Sequence, residues 1–353
     1  MTIMNKQTLA KICSIIVTSL FVGAEILLFL TSGTTIDGSL WMILGLVLAL
    51  LFVTPIHELG HIVFALLAKM QVVYAQLGCL LIKREGGRYA LKLVNPLWTD
   101  ETRVLPTMGG NMQKRALAYT IGGLVFNAVL IAVLLLFVYL GKSTVALGML
   151  PYAGYIFLLN VLPFEYPTGK TDCAVYLGIK RDEPSERAML LALDIQGKLS
   201  KENTYAEIEK ELFDFPVLRE DDPMFLVSWD LKYRRALALD DLNGAVDCIK
   251  RISQAEEYMQ ENEREKLALE LTYLNALNGD LEKANECCKY CEEFLRAETA
   301  TAKRVLATVA CVSGKVDSAK ILIESGLKLL ENEEVYGEKK LEEELFYRIK
   351  LDD

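Results

Sequence analysis

Long apolar runs crowd the first half of the chain and are absent from the second. The first run covers about 8–30, with Lys6 before it and Lys11 inside it. From Ile12 to Leu30 it outlasts the roughly 7–15 apolar residues of a signal-peptide core, which predicts a retained transmembrane helix. Glu25 interrupts it near the outer end, where a carboxylate is either functional or snorkels to the interface. A polar loop at 31–39 follows, with Gly33 and Gly38 and no Lys or Arg. The second run, 41–68, would be about 42 Å long as one helix, against about 30 Å of hydrocarbon. Pro55 divides it and predicts either a kink or a new helix start capped by Thr54. The third run, 116–140, contains Gly122-Gly123 and Asn127; the fourth, about 145–162, contains Gly148 and Gly154. Small residues of this kind permit close backbone approach, the reading preferred for Gly148 and Gly154.

Between the second and third runs the pattern changes. Segments 76–83 and 88–94 are strand-like and flank Glu85-Gly86-Gly87, which predicts a β-hairpin. Lys69, Lys83, Arg84, Arg88, Lys92, Arg103, Lys114 and Arg115 all fall between 69 and 115. That bias places the N-terminus and the hairpin inside and loop 31–39 outside, by the positive-inside rule. At 47 residues this stretch leaves little room for an inserted globular domain. Four spans return the chain to the cytoplasm, through Pro163 and Pro167, to Asp172.

From Pro184 onward the pattern is helical and charged. Segments 233–245, 273–284 and 308–319 resemble one another. Gly279 and Gly314, and likewise Ala284 and Ala319, are 35 residues apart. Leu237 and Ala245 match Leu277 and Ala284 at slightly longer spacing. Helix pairs at such a period look like tetratricopeptide repeats, an irregular helical bundle being the plainer reading. The expected fold is therefore mainly α. It comprises a polytopic membrane domain at 1–179, with about four transmembrane helices and a small cytoplasmic β-hairpin or sheet. A soluble α-helical repeat-like domain follows at 180–353.

Composition narrows the function. A net charge of −9 argues against nucleic acid as a partner. The eight cysteines form no small-scaffold disulfide framework and fit reduced thiols. Cys287-Cys288 with Cys291 lacks a second pair or a nearby histidine, and reads as small helix residues rather than a metal site.

The chemistry lies in His57-Glu58-Leu59-Gly60-His61, which holds the only two histidines of the chain. On a helix the imidazoles are one turn apart on one face, the spacing for sharing a metal ion. Glu58 beside them suits a general base for water. A catalytic zinc usually takes three protein ligands. With no third histidine, the third must be a carboxylate or thiolate: Asp172, Glu165, Cys173, Glu25 or Asp37. Asp172 is best placed, on the cytoplasmic side after a proline-broken segment.

These residues resemble the site-2 protease family of intramembrane zinc metalloproteases. The match comprises His57-Glu58-Leu59-Gly60-His61, Asn127 after paired glycines, and Asn160-Val161-Leu162-Pro163 followed by Asp172. It covers roughly 41–175. It implies one zinc ion per chain, held by His57, His61 and Asp172, with Glu58 as catalytic acid and base. It also implies that Asn127 and Asn160 lie near the site, holding a substrate strand or stabilising an oxyanion, and that the hairpin holds substrate in extended form. The family often has Gly-Pro at Gly122-Gly123 and Asp-Gly at Asp172-Cys173. The expected activity is endopeptidase cleavage in or near a transmembrane or signal-peptide segment of a membrane-protein or peptide-precursor substrate. The expected setting is a lipid bilayer, namely a prokaryotic plasma membrane with both termini cytoplasmic, and a cytoplasmic protein partner is possible through 180–353. The competing expectations are a catalytically silent membrane scaffold that binds a client through its helical domain and, more remotely, a metal transporter using His57, His61 and Glu25.

Overall fold

The computed structural model describes residues 6–32, 36–85, 88–95, 101–108, 110–166, 169–201 and 203–351. It is mainly helical, with fourteen helices among the described residues. Two compact units divide the chain: 1–106 with 111–186, and 107–110 with 187–353.

In the first unit, α1 (Lys6–Ser32), α2 (Ile36–Leu67), α3 (Met112–Gly141) and α4 (Thr144–Val161) are each long and apolar enough to cross a membrane. Their outward faces are apolar: Leu20, Leu44, Leu50, Val129 and Leu136 are all exposed. α2 runs unbroken through Pro55, so a helix start at Pro55 is not observed. Val53 and Ala49 are fully buried on one side of the proline, His57 on the other. Packing of neighbouring elements around it sustains the helix despite the lost backbone hydrogen bond.

Two crossings set the helix spacing. At the first, α2 meets α3 backbone to backbone: a Cβ added to Gly122 would sit 2.5 Å from the Gly60 carbonyl oxygen. At the second, a Cβ on Gly148 would sit 2.5 Å from the Met42 carbonyl oxygen, as expected for close approach. Gly154 faces open space, so close approach does not account for it.

An antiparallel sheet of β1 (Met70–Leu77), β2 (Leu80–Glu85), β3 (Arg88–Leu93) and β4 (Glu101–Pro106) follows α2, in the order β3-β2-β1-β4. The strand expected at 76–83 is in fact two strands. Gly78 adopts φ +60° and, with Cys79, makes the two-residue turn that pairs Leu77 with Leu80. The expected second turn, at Gly86-Gly87, lies outside the described residues, although β2 and β3 pair on either side of it. β4 pairs with β1 and forms an edge of the sheet. α3 begins at Met112, so Lys114 and Arg115 belong to its first turn. After α4, the short strands β5 (Glu165–Tyr166) and β6 (Gly169–Lys170) pair and lead to α5 (Asp172–Arg181).

The second unit takes most of α6 (Pro184–Leu199), followed by α7 (Pro223–Ala238), α8 (Leu242–Ser253), α9 (Glu261–Leu277), α10 (Leu281–Cys288), α11 (Glu292–Arg296), α12 (Ala300–Val312), α13 (Val316–Leu329) and α14 (Tyr336–Tyr347). Three helix pairs, α7–α8, α9–α10 and α12–α13, turn through a left-handed residue, respectively Asp240, Gly279 and Gly314. Each second helix then buries an alanine completely: Ala245, Ala284 and Ala319. Arg304 lies at the centre of this unit. It donates to Glu342 at 2.9 Å and Glu270 at 3.2 Å, and its guanidinium stacks 4.0 Å above Tyr273. Buried charge is tolerated here because it is paired and hydrogen-bonded.

Candidate metal centre

α2 presents His57 and His61 from successive turns of one face, both buried. Their Nε2 atoms are 3.2 Å apart. Asp172 arrives from a distant part of the chain: its Oδ2 lies 3.1 Å from His57 Nε2 and 3.3 Å from His61 Nε2.

Asp172 is delivered by the start of α5. Thr171 caps that helix, accepting from the Ala174 N–H, and its hydroxyl donates to the Leu162 carbonyl at 2.7 Å. The cap thus fastens the first turn of α5 to the end of α4, and the helix dipole favours a carboxylate at this position.

The donor set fits zinc. Ligands about 2.0–2.1 Å from a tetrahedral ion stand about 3.3–3.4 Å apart, and the three separations here are 3.1, 3.2 and 3.3 Å. Asp172 Oδ2 is buried without a hydrogen-bond partner. Two imidazoles and one carboxylate are nitrogen and oxygen donors suited to zinc, leaving a fourth tetrahedral position open. Among the described residues this is the group of acidic, histidine and cysteine side chains that can hold a metal ion.

The outer nitrogens are also engaged. His61 Nδ1 lies 2.9 Å from the Tyr119 carbonyl, which only accepts. Nδ1 therefore carries the proton and Nε2 the lone pair. For His57 to offer the same lone pair, its Nδ1–H needs an acceptor. The Asn127 amide is 3.1 Å away and fully buried, and its Oδ1 has no partner. Either end of an amide fits this space, so turning it lets Oδ1 accept from His57. Asn127 thus stands behind a histidine.

Glu58 is buried beside the histidines, and Thr102 donates to its Oε2 at 2.6 Å. Tyr119 donates its hydroxyl to the Thr102 carbonyl at 2.7 Å. Below the histidines α3 makes a bare floor. A Cβ on Gly123 would sit 2.5 Å from His57 Nε2 and 2.6 Å from His61 Nε2.

The other expected residues lie elsewhere. Asn160 donates to the Ile156 carbonyl of its own helix, and no contact among the described residues joins it to the histidines. Glu165 lies in β5, Asp37 in the exposed first turn of α2, and Glu25 in α1 with a partnerless Oε1. Cys173 is half-buried beside Asp172, and burial, with the Asp172 charge, pushes its thiol up, away from a thiolate ligand. Thr102, Tyr119 and Thr171 are site residues that motif reading passes over. Thr171 carries a helix-cap signal immediately before Asp172, and Thr102 sits in a short alternating segment ending at Pro106. Tyr119 acts on His61 through its backbone and carries no signal.

No family model, curated protein or solved structure matches this chain.

Proposed function

We propose that this protein is an intramembrane zinc endopeptidase of the site-2 protease type. One observation carries the reading. His57, His61 and Asp172 converge with tetrahedral-edge spacing, next to a buried glutamate, in a helix apolar enough to cross a membrane. Carboxylate and imidazole groups are costly at such positions and usually functional.

His57, His61 and Asp172 would hold the ion. Zinc, when bound, supplies a Lewis acid that activates water and polarises a scissile carbonyl. Glu58 takes a proton from the attacking water and returns it to the leaving amine. Asn127 and the Tyr119 carbonyl hold the imidazoles in the tautomer that binds metal. β4 lies along the sheet edge beside Glu58, where an unwound substrate segment can add as a strand. The substrate class is a single-pass membrane protein or peptide precursor. The helical unit, read as tetratricopeptide-like, recruits a substrate or partner from the cytoplasm. In this reading both termini are cytoplasmic, in a prokaryotic plasma membrane.

The test compares membranes holding wild type with membranes holding Glu58→Gln. A precursor should accumulate in the variant, while purified protein of both kinds retains one zinc per chain. Cleavage by Glu58→Gln, or absence of zinc from wild type, refutes the reading.

A further inference from the structure

Glu58 could present either carboxylate oxygen to water, yet the fold treats the two differently. Thr102, itself buried, donates to Oε2 at 2.6 Å. Among the described residues no hydrogen bond engages Oε1. Thr102 is in turn fixed from α3, because its carbonyl accepts from the Tyr119 hydroxyl at 2.7 Å. The Tyr119 carbonyl lies 2.9 Å from His61 Nδ1, and His61 stands one turn from Glu58 on α2. Glu58, Thr102, Tyr119 and His61 thus close a ring through three elements.

We infer that Thr102 is the positioning residue of the general base, a role that rests on the protease reading above. Its hydroxyl occupies Oε2, fixes the carboxylate torsion and leaves Oε1 as the oxygen that takes the proton. Tyr119 couples that setting to the orientation of His61. Thr102 touches neither substrate nor metal; it acts through Glu58.

Thr102→Val keeps the side-chain shape and the β propensity while removing the donor. Full-length protein in detergent is examined in two ways. In metal-free protein, the difference infrared spectrum between wild type and Glu58→Gln isolates the Glu58 carboxylate stretch. That band should shift in Thr102→Val and return in Thr102→Ser. In zinc-loaded protein the probe is the precursor that accumulates with Glu58→Gln. Thr102→Val should lower kcat about ten- to hundredfold, part of the 10²–10⁴ that general acid–base catalysis supplies. KM should stay within about twofold and zinc content unchanged, and Thr102→Ser should recover most of kcat.

An unmoved band, or an unchanged kcat, overturns the positioning role while leaving the protease reading intact. A loss of kcat that serine does not restore, or that comes with zinc loss, also overturns it, since Thr102 would then support the fold. Cleavage by Glu58→Gln overturns both.

Discussion

Replacing Gly123 by alanine tests the metal centre through its floor. The added Cβ would stand 2.5 Å from His57 Nε2 and 2.6 Å from His61 Nε2. Ordinary contacts between such atoms are about 3.5 Å, so both rings must withdraw by about 1 Å. Moving the helices apart instead would open the close backbone contact of α2 and α3 at Gly60 and Gly122. Metal–ligand distances tolerate only about 0.2 Å, so neither imidazole keeps its bond length. Perturbing the surroundings of a ligand costs about 10–100-fold in affinity. Displacing two ligands should reach the upper end, about 2.7 kcal/mol. Chelator competition on purified protein measures it, with Gly154→Ala, which faces open space, as the control. Zinc affinity within threefold of wild type in Gly123→Ala would refute the geometry.

Asp172→Asn should reduce zinc to well below one per chain by mass spectrometry of metals, whereas Cys173→Ser and Glu165→Gln should retain it; the reverse pattern would relocate the third ligand. Arg304→Met leaves half-buried Glu270 and buried Glu342 without their cation, each keeping only a hydroxyl donor, Tyr233 and Thr301 respectively, and breaking such an ion-pair network costs about 3–5 kcal/mol. At about 2–4 °C per kcal/mol for a unit of this size, the unfolding midpoint of the helical unit should fall by roughly 6–20 °C, and a shift under about 2 °C would contradict the network. Burial, and then the charges of Glu338 and Glu270, push the Tyr205 and Tyr233 hydroxyls well above the ordinary tyrosine value. Below about pH 10 both states keep these protons; above it the unfolded chain ionises first, so stability should decline as pH rises past about 10. Urea melts at increasing pH check this, and Tyr205→Phe should flatten the decline.

The metal-site core was legible because its information is local. His57 and His61 are four residues apart in an apolar helix, a pattern that hydropathy and helical period expose together. Asp172 was reachable only through topology, by counting spans and following the chain back to the same face. Thr102 was not, since its role needs β4 to pair with β1, and a six-residue segment ending in proline gives little sign of pairing. Gly78 hid a turn because apolar residues flank it on both sides, so two strands looked like one. Asn127 stood out as a polar residue in a membrane helix, but only the fold shows which atom it faces.

If α2 spans a bilayer as proposed, its length sets how far water has to travel. From Asp37 to His57 the unbroken helix rises about 30 Å at 1.5 Å per residue, and still about 28 Å along the bilayer normal at a typical tilt of about 20°. That is the full hydrocarbon thickness. In the proposed orientation, with the first turn of α2 at the outer boundary, the histidines would stand towards the inner one. In that reading water would reach a bound ion from the aqueous side, with no need for a long channel through lipid. In the same reading a scissile bond drawn to that level would already have left the hydrocarbon.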